Sequence, residues 1–195
     1  MEENTKTYDE AIRGGTPMKE RDLVFIDLEL TGLNLDHEII EIGGLIVDQK
    51  DLSIKEEFNF KISPTHIENA DPVSLKMVHY NGEDWKDSIP LITGLRKLET
   101  LAYGKILIGF NSAMDWARIE KAYLDNGITQ PPFYYLHPDI SGMCYIKLLD
   151  APGVVKFSLA ELCKYFGIER DKSLEHNALE DAKTSFELYK KIVNM

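Results

Sequence analysis

Asp27 and Glu29 lie two residues apart in the stretch Phe25-Ile26-Asp27-Leu28-Glu29-Leu30-Thr31-Gly32-Leu33. Alternate residues of a strand share a face, so the spacing points both carboxylates the same way, at the strand's C-terminal end. The residues before them are apolar on both faces, which predicts a central strand. Two carboxylates about 4 Å apart repel by roughly 4 kcal/mol at an effective dielectric of about 20. A divalent cation relieves that repulsion, and hard oxygen donors suit Mg²⁺ or Mn²⁺. The competing reading is one carboxylate solvated at a loop and the other capping a turn.

Asp115 follows Gly109-Phe110-Asn111-Ser112-Ala113-Met114, where an apolar strand runs into a helix. The carboxylate falls in the first helical turn, and acids are also favoured there for stability alone. A third group is His176-Asn177-Ala178-Leu179-Glu180-Asp181-Ala182. Helical spacing places Ala178, Asp181, Ala182, Ser185, Leu188, Tyr189 and Ile192 on one face. Asp181 therefore sits in the inward stripe, where an acid is costly unless paired or metal-bound. His176 falls at or just before the helix start, on a loop able to reach the same site. A structural hydrogen bond is the plainer reading of that histidine.

Three strands come first. Asp22 to Leu30 is apolar and β-branched and stops at Thr31-Gly32. Glu38 to Gln49 reads as a second strand, and Leu52 to Ile62 as a third, with a hairpin turn over Asp48 to Asp51. Pro64 to Asp71 reads as loop and Pro72 to Val78 as a short helix. Ile89 to Tyr103 is helical by pattern, and Lys105 to Phe110 is a short buried strand. Asn111 or Ser112 is expected to cap a helix ending at Gly127. Gln130-Pro131-Pro132 opens a loop, and Phe133 to Leu136 reads as a strand. Ser158 and Glu161 form a capping box for a helix ending at Gly167. Asn177 to Val193 is the last helix. The order predicts an α/β fold: a mixed sheet of three antiparallel hairpin-linked strands followed by parallel strands, with helices on both faces.

The chain has 195 residues, suited to one domain. Residues 1–20 are polar and read as a flexible tail, leaving 21–195 as the functional domain. No apolar run approaches the length needed to cross a membrane, and the N-terminus lacks the pattern of a signal peptide. Cys144 and Cys163 have no metal-ligand spacing and read as reduced thiols of a cytoplasmic protein. The net charge of −11 argues against a tight, non-specific duplex binder. It is compatible with an enzyme that holds metal ions and a short strand end.

Together the three groups resemble, in order and content, the exonuclease motifs of the DEDDh family, the ribonuclease H-like 3′–5′ exonucleases. D-x-E-x-T-G-L matches at Asp27, Glu29, Thr31, Gly32 and Leu33; N-x-x-x-D matches at Asn111 and Asp115; H-x-x-x-x-D-A matches at His176, Asp181 and Ala182. Glu38-Ile39-Ile40-Glu41-Ile42-Gly43 is similar to the family's second strand. The resemblance runs from about Asp22 to Val193. Leu30 and Met114 depart from the residues common in proofreading subunits of DNA polymerase. The first motif is closer to oligoribonuclease and the third to proofreading subunits.

The resemblance implies a ribonuclease H-like fold and two divalent ions, Mg²⁺ or Mn²⁺. Asp27 would bridge them, Glu29 and Asp181 would complete the first, and Asp115 would help hold the second. His176 would act as general base, and nucleoside 5′-monophosphates would leave. It also implies that Leu30 and Thr31 contact the terminal nucleotide, with Leu33, Phe110 and Asn111 on the substrate side. Core packing is the plainer reading of Phe110. The expected partner is the 3′ end of single-stranded DNA or RNA, and a homodimer or a polymerase partner fits the family. The alternative from another class is a non-catalytic nucleic-acid or protein interaction module on the same fold. An endonuclease on that fold is a further alternative.

Overall fold

Strand β1 (Leu23–Leu30) alternates between two cores. Val24, Ile26 and Leu28 enter one apolar cluster; Leu23 and Phe25 enter the other. Both faces of the strand are buried, as expected of a central strand. In the computed structural model β1 indeed lies inside a four-stranded sheet, between β2 (Ile39–Val47) and β4 (Ile106–Ile108), with β3 (Ile54–Lys61) on the far side of β2. The structure describes residues 12, 15–128, 130–154, 156–171 and 175–195.

The sheet is mixed. Strand β2 (Ile39–Val47) pairs antiparallel with β1, and β3 (Ile54–Lys61) pairs antiparallel with β2. Strand β4 (Ile106–Ile108) pairs parallel with β1. The expected hairpin and strand order hold. Among the described residues β4 is the one named strand on the parallel side, extended by a bridge between Gly109 and Asp139.

Helices cover both faces. The cluster containing Val24, Ile26 and Leu28 is completed by α2 (Leu91–Ala102) and α3 (Ser112–Asp125), through Leu95, Leu98, Ile119 and Tyr123. The cluster containing Leu23 and Phe25 is closed by α4 (Ile140–Leu148), α5 (Leu159–Phe166) and α6 (Ala178–Val193), through Ile140, Cys144, Leu162, Phe186 and Ile192. A short helix α1 (Pro72–Met77) is N-capped by Asp71. Helix α5 follows the expected box, with the Glu161 amide donating to Ser158 Oγ and Gly167 taking the left-handed stop at φ 65°.

Some expectations fail. Phe133 to Leu136 forms no named strand. Phe133 and Tyr134 point into opposite clusters, as in a strand, but of the two only the Tyr134 amide reaches the sheet, at Lys105 O. Prolines at 131, 132 and 138 bracket the segment and remove ladder donors. Helix α4 was not foreseen; its apolar residues follow no single stripe. At the start of α3, Asn111 occupies the capping position but its side chain makes no capping bond. Of the expected tail, residues 1–11, 13 and 14 lie outside the described residues. Ile12 is buried, and Met18–Glu20 forms one 3-10 turn.

Candidate active site

The alternation of β1 decides where its carboxylates go. Asp27 and Glu29 continue the face of Leu23 and Phe25, which is the face covered by α6. Asp27 pairs with Gly43 of β2, and α6 begins directly over that glycine. A Cβ at Gly43 would stand 2.1 Å from the Leu179 amide nitrogen. Only a residue without a side chain lets the helix backbone approach so closely. This contact brings the N-terminal turn of α6, with Asp181, beside the acidic end of β1. The positive end of the helix then faces the carboxylates.

Asp181 is on the inward stripe of α6, as its spacing predicts, and is 8% exposed. Donor atoms of Glu29, His176 and Asp181 all lie within 4.8 Å of one another. His176 precedes the helix in a left-handed conformation, φ 61°. That geometry is strained for a residue with a Cβ, and two contacts hold it. The His176 amide donates to Asp181 Oδ2 at 3.2 Å. The next residue, Asn177, caps α6 by accepting from the Glu180 amide, and its Nδ2 donates to Glu41 Oε1 at 3.2 Å.

Asp115 reaches the same region from the opposite side of β1. It sits in the first turn of α3, and its carboxylate accepts from the Leu28 amide. Among the described residues no side chain caps α3; the residues at its start are tied instead to Asp139, which itself caps α4. Asp139 Oδ1 accepts from the Asn111 amide at 3.2 Å, and Ser112 Oγ donates to Oδ2 at 3.3 Å. Asn111 is thereby fixed in a left-handed conformation, φ 61°.

The electrostatics are those of crowded carboxylates. Burial first, then Asp115, Glu29 and Asp181, push the Asp27 carboxyl well above its ordinary range. Burial and then Asp181, Glu41 and Asp115 raise Glu29 to about 8. Burial, with Asp139 as the neighbouring charge, raises Asp115 to about 8. Each shift reflects the cost of ionising an enclosed carboxyl with other carboxylates beside it.

A cleft of about 280 Å³ opens onto the cluster, lined by Asp27, Asp181, His176, Phe110, Arg170 and Leu159 among others. Phe110 packs partly against the core and partly lines the cleft. Leu33 stands out from the loop after β1, 77% exposed. Thr31 is buried, with its amide donating to Glu38 O and its Oγ1 accepting from the Glu38 amide. Leu30 is half-buried against the α2–α3 side.

Three polar residues near the site carried no sequence assignment beyond position. Glu41 is buried on β2, directly across from Glu29. A carboxylate inside an apolar strand is itself a signal, by the argument used for Asp181. Arg118, one turn beyond Asp115, donates to the carbonyls of Leu33, Asn34 and His37. Arg170 pairs with Asp181. Neither arginine lies in a pattern that spacing could pick out.

A central strand bearing a half-buried and a buried carboxylate, flanked by an acid from each covering layer and a loop histidine, is the arrangement of a carboxylate-based site on a mixed sheet. The exonuclease family pattern (RNase_T) matches residues 24–189, and the chain belongs to that family as a DEDDh-type 3′–5′ exonuclease. The chain is similar to ribonuclease T of Shewanella frigidimarina, at 26% identity over 188 residues covering 88% of this chain and 81% of that protein. In structure it resembles Escherichia coli exonuclease I in complex with a dT13 oligonucleotide, with a TM-score of 0.75, 15% identity, and coverage of 88% of this chain and 41% of that one. A zinc-bound form of the same enzyme with single-stranded DNA gives a TM-score of 0.76 at 15% identity, covering 90% and 41%. The chain thus spans about two fifths of the exonuclease I chains it matches. Dependence on divalent metal goes with the family. Among the described residues no helix is long and apolar enough to cross a membrane.

Proposed function

We propose that this chain removes nucleoside 5′-monophosphates from the 3′ end of single-stranded DNA or RNA, supported by Mg²⁺ or Mn²⁺. The observation that carries the reading is the convergence of Glu29, His176 and Asp181 donor atoms within 4.8 Å, at the mouth of a cleft that Asp27 also lines. The donor set is hard and mostly carboxylate, which fits Mg²⁺ or Mn²⁺ better than softer ions. Asp27, Glu29, Asp181 and Asp115 would hold the ions, which supply Lewis acidity toward the phosphate and a more acidic water.

The chain's own residues supply the rest. His176 stands beside Asp181, held by its own amide on Asp181 and by the bond of Asn177 to Glu41, and would take a proton from the attacking water. Phe110 offers an aromatic surface in the cleft, and Leu33 an exposed apolar one, both suited to the terminal base of a single strand. With Thr31 buried, contact with the last nucleotide at the end of β1 would fall to the main chain of Leu30 and Thr31. Asn111, its amide bonded to Asp139, directly follows the cleft-lining Phe110.

The test is digestion of 3′-labelled single-stranded RNA and DNA, with a circular single strand beside them, in Mg²⁺ or Mn²⁺. Mononucleotides should appear from the linear strands, and the circle should stay intact. His176→Ala should lower kcat by about 10²–10⁴-fold. Cutting of the circle, or undiminished activity of His176→Ala and Asp181→Ala, overturns the reading.

A further inference from the structure

Arg170 is a charged side chain in the cleft for which the motifs have no role. It follows the end of α5, and its guanidinium is largely enclosed, with 16% of the side chain exposed. Nη2 donates to Asp181 Oδ1 at 2.7 Å, and Nη1 lies 3.6 Å from Glu175 Oε1. The other Asp181 oxygen, Oδ2, accepts from the His176 amide at 3.2 Å. Both oxygens of Asp181 are therefore engaged by the chain itself. Yet Asp181 belongs to the one group of donor atoms, with Glu29 and His176, close enough to share a cation among the described residues.

We propose that Arg170 is a resident counter-cation: it neutralises Asp181 while no divalent ion is held and gives up Asp181 Oδ1 when one binds. This rests on the metal-site reading above. The physical argument is competition. A carboxylate oxygen held at 2.7 Å by a guanidinium is not free to ligate an ion without losing or sharing that bond. A fixed positive charge in the same cleft also repels an arriving cation. Both effects lower metal affinity. In return, Arg170 offsets repulsion among the clustered carboxylates. Glu175 is the anionic partner left to Arg170 once Asp181 is taken.

Calorimetric titration with Mn²⁺ of the full chain, wild type against Arg170→Gln, tests this. Arg170→Gln should bind Mn²⁺ roughly 5–10-fold more tightly, the effect of losing a partly exposed ion pair. Its metal-free melting temperature should fall, and the gain on saturating with Mn²⁺ should exceed that of the wild type. Arg170→Lys keeps the charge but not the planar fork, and should tighten binding by a smaller factor, about 2–3-fold. If Arg170→Gln does not fold by circular dichroism, Arg170→Lys carries the test. Unchanged or weaker Mn²⁺ binding in the folded variant, with the wild type binding normally, overturns the role of Arg170 alone. A wild type that takes up no Mn²⁺ overturns the metal site, and this inference with it.

Discussion

Glu29 and Glu41 are direct cross-strand partners on β1 and β2, and both are buried, at 7% and 1% exposure. Like charges facing each other in a sheet destabilise it. Two amides soften the clash at Glu41: Asn59 Nδ2 donates to its Oε1 at 2.6 Å and Asn177 Nδ2 at 3.2 Å. The register also slips at this point, between Glu29 and Leu30. Such a bulge re-aims side chains next to a site.

The raised carboxyls set a pH dependence. Glu29 ordinarily titrates near 4.5 and is raised to about 8; Asp115 ordinarily titrates near 3.8 and is raised to about 8. The folded chain therefore binds more protons than the unfolded one between these limits. Their contribution to stability is full below the unfolded values and is lost as pH rises through about 8. The metal-free melting temperature should fall from pH 5 to pH 8, and saturating Mn²⁺ should reverse most of the loss. Ion uptake near pH 7 should release protons, measurable by calorimetry in buffers of different ionisation enthalpy. A metal-free melting temperature that rises over this interval contradicts the assignment.

The Glu41–Asn177 bond ties β2 to the loop that carries His176. Asn177→Ser keeps a capping oxygen for α6 but drops the amide donor. We expect kcat to fall roughly tenfold, as for a displaced base, with KM and Mn²⁺ affinity little changed. Glu41→Gln retains an acceptor and should keep most of the activity, whereas Glu41→Leu should not. Equal losses in Glu41→Gln and Glu41→Leu would mean that the charge matters rather than the tether.

Gly43→Ala should push α6 off β2. The new methyl would stand 2.1 Å from the Leu179 nitrogen and 2.4 Å from the Ala178 carbonyl carbon, and neither is a flexible side chain. Overpacking of this kind costs about 1–3 kcal/mol. Asp181 would move away from Asp27, so Mn²⁺ affinity should drop with stability. Gly142→Ala meets open space within α4 and is the control. It should stabilise by about 0.5–1 kcal/mol. Denaturant titration separates the two.

Arg118 couples the Asp115 helix to the loop bearing Leu33 through three carbonyls. Arg118→Lys should let that loop drift and raise KM for single strands while leaving kcat near its starting value. Leu33→Ala should do the same. If the loop acts as a unit, the double variant is no worse than either alone. Additive effects in the double-mutant cycle would separate the two residues.

What the sequence made legible was what depends on local period. The alternation of β1 put Asp27 and Glu29 on one face, and the stripe of α6 put Asp181 inward; both hold. Phe186 joins that stripe as well. Illegible were contacts made across the chain. The pairing of Glu41 with Glu29 depends on sheet register, and the pairing of Arg170 with Asp181 depends on how a loop folds back. The expected cap of α3 fails because Asn111 is held in a left-handed conformation with its amide bonded to Asp139, a residue 28 positions away that no local pattern links to it. Helix α4 escaped because it is apolar nearly all round, which periodicity cannot mark.

The placement of Asp181 on α6 and of His176 just before it has a consequence for biosynthesis. β1 and α3, with Asp27, Glu29 and Asp115, emerge from the ribosome first. Until α6 has been translated and laid over Gly43, the cluster lacks its histidine and its fourth acid. A chain cut short before α6 lacks His176 and Asp181 and cannot assemble the group of donor atoms they form with Glu29.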